Sequence, residues 1–285
     1  MTQSNLKLRC GTQILSLDTT LVMGVLNVTP DSFSDGGLWF DKDTAIKHAL
    51  EMVEQGADII DVGGESTRPG AAAVPESEEL DRVLPVVEAV AARADVPISI
   101  DTRKASVARA ATDSGASIVN DTGGEDADPE MGTVAADTGA AIVFMHSRGT
   151  PATMRSLTDY DDVVTDVAAF LRASADRLLG LGVAKDSIVL DPGFGFAKNA
   201  HQNLELLDRL DEIVALGFPV LAGTSRKSFI GAVLDTPETD RIEGTAATVA
   251  WAVARGAHIV RVHDVSEMTR VVRMAEAIRD RGASV

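Results

Sequence analysis

Two segments combine oxygen-bearing side chains, glycines and an arginine in a pattern that suits phosphate chemistry. The run at 27–37 begins with Asn27 and carries hydroxyl and carboxyl groups that suit contacts to phosphate oxygens or to a phosphate-bound Mg²⁺. The run at 63–70 places Arg68 between glycine-bearing turns, where its guanidinium can donate two parallel hydrogen bonds to a phosphate. The alternative interpretations are a well-formed turn for the first run and a solvated surface arginine for the second.

A third segment, at 188–198, combines a carboxylate with aromatic rings, which suits a flat nitrogen heterocycle. Asp191 directly follows an apolar run, and Phe196 comes a few residues later. A carboxylate accepts paired N–H donors, and an aromatic ring stacks on a planar ring. Asp101 and Asn120 end two other apolar runs and could serve the same heterocycle. Each of these polar residues could instead be only a helix cap.

Basic residues and hydroxyls gather in two further segments near the C-terminus. The run at 223–228 places Ser225, which can hold a carboxylate, beside the positive charge of Lys227. Free N–H groups at the helix start predicted there suit an anion. Arg261 and His263 are separated by one residue on an apolar run, so both side chains lie on one side of a strand. A satisfied core cluster is the alternative for this last pair.

Eight short apolar runs, each followed by a helical pattern, must position these groups. They are continuously apolar, which is typical of strands buried on both faces of a parallel sheet. Eight strand–helix units predict an α/β fold, a (β/α)₈ TIM barrel. An open doubly wound sheet is the competitor, but no Gly-x-Gly-x-x-Gly turn follows the first run. The predicted strands are Leu21–Val28, Asp58–Val62, Pro97–Ile100, Ser117–Val119, Ala141–Met145, Ser187–Leu190, Pro219–Ala222 and His258–Val262; the predicted helices include Thr44–Gln55, Glu78–Arg93, Asp161–Leu181 and Arg241–Arg255.

Every predicted strand delivers a polar side chain at its C-terminal end. In a barrel these ends form one rim, which is where the active sites of barrel enzymes lie. Capping explains one such residue but not eight that converge on one face. The strand-end residues are Asn27, Asp61, Asp101, Asn120, His146, Asp191, the run from Thr224 to Lys227, and Arg261 with His263.

The connections and the N-terminus complete the predicted architecture. The segments Thr29–Asp41 and Gly63–Pro75 are longer and richer in glycine and proline than strand–helix connections usually are, which suggests mobile lids above the rim. The first ten or so residues and Thr12–Leu17 predict a short β-hairpin that closes the barrel bottom. We find no linker and no repeat, so we predict a single domain over residues 1–285.

The composition restricts the partners and the compartment. A net charge of −17 disfavours nucleic acid and anionic membranes, and indicates either a solubility device or adaptation to a salty cytoplasm. Anionic substrates would need local basic residues to overcome that field. The single cysteine, Cys10, cannot form an intramolecular disulfide. With no signal peptide pattern and no apolar run of about 18 residues, we expect a cytoplasmic protein.

The five motifs resemble those of dihydropteroate synthases. The runs at 27–37 and 63–70, the string from Asp191 to Phe196, the run at 225–227 and the run at 261–263 occur in that family's order, and the resemblance covers roughly residues 21–277. It implies a TIM barrel that is usually a homodimer and works with Mg²⁺. The implied reaction joins 4-aminobenzoate to a dihydropterin methyl diphosphate.

The resemblance also implies a role for each matched residue. The pterin would be held by Asp101, Asn120, Met145, Asp191, Phe196, Gly223 and Lys227. The diphosphate would be bound by Asn27 (through the metal), Arg68, Arg261 and His263, and 4-aminobenzoate by Phe33, Thr67, Pro69 and Ser225. The implied catalytic set is Arg68, Asp101, Asp191, Lys227, Arg261 and His263. One position departs from the family, because Thr122 stands where isoleucine or valine is usual, and a buried hydroxyl without a partner costs about 1–3 kcal/mol.

Two other functions share parts of this pattern. A non-catalytic pterin-binding paralogue would keep the barrel without turnover, whereas this chain has every expected diphosphate and lid residue. A pterin-binding domain of a corrinoid-dependent methyltransferase would have no use for a diphosphate site. The residues that discriminate are Arg68, Ser225, Arg226, Arg261 and His263.

Overall fold

Ten β-strands form a small hairpin and a larger parallel sheet in the computed structural model, which describes residues 6–29, 42–66, 71 and 73–280. The hairpin pairs β1 and β2 antiparallel, and the eight remaining strands pair in the order β8-β7-β6-β5-β4-β3-β10-β9. The strands are β1 Lys7–Cys10, β2 Gln13–Ser16, β3 Leu21–Asn27, β4 Ile59–Gly63, β5 Ile98–Thr102, β6 Ile118–Asp121, β7 Ala141–Met145, β8 Ile188–Asp191, β9 Leu221–Ala222 and β10 Ile259–Val262.

The two edges of the large sheet meet and close the barrel. Leu190 of β8 forms a parallel bridge with Val220, which precedes β9. The Leu190 backbone N–H donates to the Pro219 carbonyl oxygen at 2.9 Å. Strand β9 begins later than the predicted Pro219 because proline has no N–H to contribute to a ladder. The predicted TIM barrel with an N-terminal hairpin is therefore confirmed.

Helices between the strands cover the outside of the barrel. Apolar side chains on their inner faces pack against the outward-facing residues of the strands in one large core. The predicted helices correspond to α1, α2, α5 and α9, with ends shifted by a few residues, as helix ends commonly are. The α-helices are α1 Lys42–Glu54, α2 Glu76–Ala91, α3 Ala105–Asp113, α4 Met131–Thr138, α5 Val163–Gly180, α6 Ala200–Asp208, α7 Leu210–Val214, α8 Ser228–Leu234, α9 Ile242–Ala254 and α10 Val265–Arg279.

The hairpin closes the end of the barrel where the strands begin. Leu8 and Cys10 of β1 are fully buried against a second apolar cluster inside the barrel. That cluster includes Met23, Ile59 and Ile118, which lie near the starts of their strands. The opposite end, where the strands finish, is left for polar side chains. None of the helices in the described ranges is long and apolar enough to cross a membrane.

Candidate active site

Strand register brings three of the predicted residues, Asn27, Asp101 and Asn120, to one level of the rim. Asn27 of β3 pairs with Gly63 of β4, Gly63 pairs with Asp101 of β5, and Asp101 pairs with Asn120 of β6. On the next strands, Met145 pairs with Asp191. The strand ends therefore converge as the sequence predicted.

A buried arginine joins two carboxylates at the centre of this rim. Arg261 Nε donates to Asp61 Oδ2 at 2.6 Å, and its Nη2 donates to Asp101 Oδ2 at 2.7 Å. Asn120 Nδ2 also donates to Asp61 Oδ2, at 3.0 Å. Charge-assisted bonds of this length are among the stronger hydrogen bonds in proteins. Arg261, which the resemblance assigns to the diphosphate, therefore also neutralises the charge of the Asp61 and Asp101 carboxylates at the centre of the rim.

Burial and the neighbouring charges shift the pKa values of this cluster. Burial raises the pKa of Asp101, while Arg261 opposes the shift and Asp61 adds to it. Burial lowers the pKa of Arg261, but Asp61 and Asp101 outweigh it and the net shift is upward. Arg261 is therefore a permanent cation, and Asp101 is a carboxylate whose charge depends on that cation.

Two buried oxygens of the cluster have no hydrogen-bond partner among the described residues. They are Asp61 Oδ1 and Asn120 Oδ1. An unpaired buried acceptor costs about 1–3 kcal/mol, so an N–H donor from a ligand would be favourable there. A reduced pterin is a flat ring with many N–H groups, and it fits this demand.

The end of β8 adds a third carboxylate, an aromatic ring and a second cation. Asp191 is 6% exposed and accepts a bond from the Gly193 N–H at 2.7 Å. Burial raises its pKa, against the effects of Gly193 and Lys227. The Lys227 Nζ lies 4.3 Å from the centre of the Phe196 ring. Burial, with help from Arg261, lowers the pKa of Lys227 to about 8.

Apolar residues and the hydroxyl of Thr122, the residue that departs from the family pattern, line the site beside the Phe196 ring. Met145 is buried and packs in one cluster with Met154 and Phe196. Thr122 and Phe196 line the same small cavity. The Thr122 hydroxyl donates to Asp101 Oδ1 at 3.3 Å, so it has the partner that burial requires.

Gly223 provides open space next to the arginine. A Cβ placed on this glycine would lie 4.0 Å from the Arg261 Cβ and meet nothing closer than 3.9 Å. Its role against the pterin stays a prediction, because the contact would be with the ligand.

Ser225 and His263 form a pair on the other side of Arg261. The Ser225 Oγ and His263 Nδ1 are 2.9 Å apart, and the His263 backbone N–H donates to the same Oγ at 3.2 Å. A serine Oγ has one hydrogen and two lone pairs, so while it accepts the backbone N–H it can either donate to Nδ1 or accept from it, according to the tautomer of the ring. Burial, followed by Arg261, lowers the pKa of His263 to about 3. His263 is therefore a neutral hydrogen-bond donor at physiological pH.

Arg226 holds the segment that carries Ser225 and Lys227. It has a left-handed backbone with φ of 56°, which is uncommon for a residue with a side chain. Its guanidinium forms a two-pronged ion pair with Asp264, next to His263, with Nε at 3.1 Å from Oδ2. This ion pair links the loop that follows β9 to the loop that follows β10.

The residues near Asn27 suit an oxygen-ligated Mg²⁺ whose remaining ligands come from a substrate and water. The Asn27 Oδ1 lies 3.9 Å from the position of a Cβ on Gly63, so the absence of that Cβ leaves room beside the amide. The described residues contain no group of three or more acidic, histidine or cysteine side chains for a metal. Mg²⁺ commonly binds one or two protein oxygens plus phosphates and waters, and Asn27 fits that arrangement.

Four predicted residues, Phe33, Thr67, Arg68 and Pro69, lie outside the described residues, as does most of the predicted lid 29–41. The start of the second predicted lid, residues 63–66, is described, and contacts from neighbouring elements hold it in place. Arg82 of α2 donates to the Gly64 carbonyl oxygen at 2.8 Å. Glu65 pairs with Lys104, which also pairs with the buried Glu79 of α2 at 2.5 Å.

Sequence reasoning did not assign functional roles to three residues of this rim. Asp61 was recognised only as a strand end, although it binds Arg261. His146 and Lys198 are both buried and 2.9 Å apart, between Nδ1 and Nζ. The signal for Asp61 and His146 was the strand-end pattern itself. Lys198 gave none, because a lysine next to Asn199 is typical of a solvated turn.

The family model described as pterin binding enzyme matches residues 23–263 of the chain. A curated dihydropteroate synthase from Synechocystis sp. is 52% identical over 260 residues, covering 91% of this chain and 90% of that protein. This chain belongs to the dihydropteroate synthase family.

Solved structures of the family have the same fold as this chain. A Yersinia pestis dihydropteroate synthase with a sulfonamide drug complex has a TM-score of 0.91 and 45% identity, covering 96% of this chain and all of that one. A Xanthomonas albilineans dihydropteroate synthase with 4-aminobenzoic acid has a TM-score of 0.90 and 42% identity, covering 97% of this chain and 99% of that one. The family and fold predictions are confirmed.

Proposed function

We propose that this chain catalyses the dihydropteroate synthase reaction of folate biosynthesis through the rim described above. The bond between the pterin methylene carbon and the diphosphate oxygen breaks, and the diphosphate leaves with the electron pair. The amine of 4-aminobenzoate bonds to that carbon and loses a proton. The observation that carries this proposal is the buried cluster of Asp61, Asp101, Asn120 and Arg261, with unpaired acceptors at the strand ends of a family member.

The pterin would bind where those acceptors gather. Asp191 would accept paired N–H donors, Asn120 would offer its unpaired Oδ1, and Asp101 would contribute a second carboxylate. The ring would lie along Phe196 and Met145, with the Lys227 ammonium beside it. Loss of diphosphate leaves a cation delocalised into the dihydropterin, and nearby carboxylates favour that charge in a poorly solvated site.

The diphosphate would lie toward Arg261 and His263, with Arg68 reaching it from its loop. Arg261 stays charged, and the neutral His263 would offer Nε2–H in the tautomer whose Nδ1 accepts from Ser225, so both would donate to the oxygens on which charge develops. Donors placed in advance where negative charge develops lower the barrier to departure. These basic groups also counter the net charge of −17 locally.

Mg²⁺ would be held by Asn27, and when bound it would neutralise charge on the diphosphate. The second substrate would bind on the far side of the pterin, with its carboxylate at the backbone N–H of Ser225, since the Ser225 hydroxyl bonds to His263. Phe33, Thr67 and Pro69 would contribute from the two loops. An aromatic amine is neutral at pH 7, so the residues need not remove a proton before it attacks.

We further propose a cytoplasmic homodimer. The outer faces of α9 and α10 expose Trp251, Met274 and Ile278, with exposed fractions of 47%, 62% and 66%. Exposed apolar side chains gathered on neighbouring helices commonly mark a protein interface. Light scattering at several concentrations would measure the mass of the assembly. A mass that stays at one chain throughout would contradict the dimer.

Product formation tests the function directly. The purified chain is mixed with the dihydropterin methyl diphosphate, 4-aminobenzoate and Mg²⁺, and 7,8-dihydropteroate and diphosphate are measured. We expect both products in equal amounts, and none when the pterin alcohol without its diphosphate replaces the ester. Pterin binding without any product would instead identify a non-catalytic paralogue. Removal of Mg²⁺ by a chelator should lower the rate, and addition of Mg²⁺ should restore it.

A further inference from the structure

Lys198 is a buried lysine in the connection between β8 and α6, and the reaction as proposed above does not use it. The residue is 8% exposed. Its Nζ donates to the Gly193 carbonyl at 3.0 Å and the Phe196 carbonyl at 3.1 Å, and lies 2.9 Å from His146 Nδ1. An ammonium has three N–H donors, and each of them has one acceptor here.

Gly193 connects this ammonium to the Asp191 carboxylate. The Gly193 N–H donates to Asp191 Oδ1 at 2.7 Å, while its carbonyl accepts from Lys198. Gly193 has φ of +71°, and a Cβ there would lie 1.9 Å from the His146 carbonyl oxygen. The turn is thus pressed against the end of β7, where only glycine fits. By holding this turn, Lys198 fixes the donor that orients Asp191.

Phe196 is the second group that Lys198 holds. Its carbonyl accepts from Lys198, and its backbone N–H donates to the Gly193 carbonyl at 3.1 Å. The same residue presents its ring to the Lys227 ammonium. The Lys198 amine therefore holds the backbone at Gly193 and at Phe196, the residue whose ring would stack on the pterin.

Below about pH 7 Lys198 also carries a positive charge, which a neutral donor would lack. Burial lowers the pKa of Lys198 to about 7; Asp191 raises it, and Arg148 and Lys227 lower it. Burial also lowers the pKa of His146, to about 2, so the ring is neutral, and an ammonium at Lys198 can only donate to its Nδ1. A buried ammonium is costly, and its nearby charge favours the ionised form of Asp191, which burial disfavours.

We propose that Lys198 is a positioning residue for the pterin site. It holds Gly193 and Phe196 so that the Asp191 carboxylate and the Phe196 ring face the heterocycle together. The proposal rests on the proposed function, since the ligand is the pterin of that reaction. It assigns Lys198 to pterin binding and gives it no contact with the diphosphate or with 4-aminobenzoate.

The test replaces Lys198 with methionine, which keeps the length of the side chain and removes all three donors. We expect the Kd for an oxidised pterin, measured by calorimetry, to rise at least about tenfold, which corresponds to about 1.4 kcal/mol. At saturating pterin diphosphate, the KM for 4-aminobenzoate should stay within about twofold. An unchanged pterin Kd in a folded variant would overturn the proposal.

A matched control acts on the same connection without touching Gly193 or Phe196. The Tyr160 hydroxyl donates to the Ala197 carbonyl at 2.9 Å, and Tyr160→Phe removes only that bond. This variant should lose some stability and keep its pterin Kd. A tenfold weaker pterin Kd in Tyr160→Phe as well would show that any loosening of the connection has this effect, which would also overturn the proposal.

A second variant decides the matter if Lys198→Met does not fold. Lys198→Gln keeps two neutral N–H donors on a side chain one bond shorter, so it should fold, but it should hold the Gly193 and Phe196 carbonyls less well and bind the pterin more weakly than the unmodified chain. A Kd equal to that of the unmodified chain would overturn the positioning role. Failure of the unmodified chain to bind any pterin would contradict the proposed function itself, so the two failures are distinguishable.

Discussion

The two ends of the barrel are built from opposite kinds of side chain. At the bottom, Leu8 and Cys10 of the hairpin are fully buried among apolar residues at the strand starts. At the rim, Asp61, Asp101 and Asn120 are almost fully buried as well, but they are polar, and two of their oxygens lack partners in the described protein.

The difference teaches that burial has two uses in this molecule. Apolar burial at the bottom stabilises the fold, because each buried side chain contributes about 1.5–3 kcal/mol. Polar burial at the rim costs free energy that a ligand can recover by supplying donors. Changes at the bottom should therefore lower stability and spare activity, and changes at the rim should do the reverse.

Arg261 should give the largest effect, and it belongs to both sides of the comparison, because it binds two buried carboxylates of the fold and would also bind the ligand. Arg261→Lys keeps the positive charge but cannot make the paired bonds to Asp61 and Asp101. Since the variant would also lose donors to the departing diphosphate of the proposed reaction, we expect kcat/KM to fall by about 10²–10³. Steady-state kinetics and thermal unfolding measure the two effects. Activity within a few-fold of the unmodified chain would remove Arg261 from the diphosphate site.

Leu8→Ala removes a buried apolar side chain from the bottom of the barrel. Leu8 is fully buried, so its truncation should lower the free energy of unfolding by about 2–5 kcal/mol. Denaturant titration measures that loss. Below its unfolding transition, the variant should keep kcat/KM within about twofold. A large loss of activity in the folded variant would show that the two ends are coupled.

The pH dependence of pterin affinity tests whether the charge of Lys227, a buried group at the rim, serves the ligand. Burial lowers the pKa of this amine to about 8, so it is mostly charged below that pH and mostly neutral above it. If the ammonium supports the pterin, affinity should fall as the pH rises through about 8. Lys227→Arg stays charged and should lose this alkaline decline, even if it binds more weakly overall. Calorimetry across the pH range would show an unchanged decline if another group causes it.

Thr122 should give the smallest effect. Its hydroxyl bonds to Asp101 at 3.3 Å, which is long for such a bond. Thr122→Val should change pterin affinity by no more than about tenfold, in line with a neutral hydrogen bond of about 0.5–1.5 kcal/mol. Thr122→Ser, which keeps the hydroxyl, is the control. A larger loss in the valine variant would make Thr122 a main determinant of the site.

The sequence predicted the barrel and most of the rim because both follow local patterns. Continuous apolar runs indicate buried parallel strands, and the residue that ends each run must lie at the rim. The hairpin that carries Leu8 and the polar ends Asp101, Asn120 and Asp191 all lie where the patterns placed them.

Pairings between distant residues could not be predicted in this way. Arg261 and Asp61 are 200 positions apart, and nothing near either one indicates that they bind. Lys198 was missed for a different reason, since lysine is rarely buried and only its three acceptors make burial tolerable. The assignment of residues 1–285 to one domain, the dimer and the Mg²⁺ site stay predictions.

Pterin titration of the unmodified chain and of Asp191→Asn, with unfolding measured on both, tests most directly whether the buried carboxylates of the rim serve the ligand. Charge-assisted bonds to a buried carboxylate are worth about 1.5–3 kcal/mol each, so the pterin Kd should rise by one to several powers of ten. The free energy of unfolding should stay the same or increase, because burial raises the pKa of Asp191 and its charge is costly in the free protein. An unchanged Kd together with a large loss of stability would contradict the account, because Asp191 would then serve the fold.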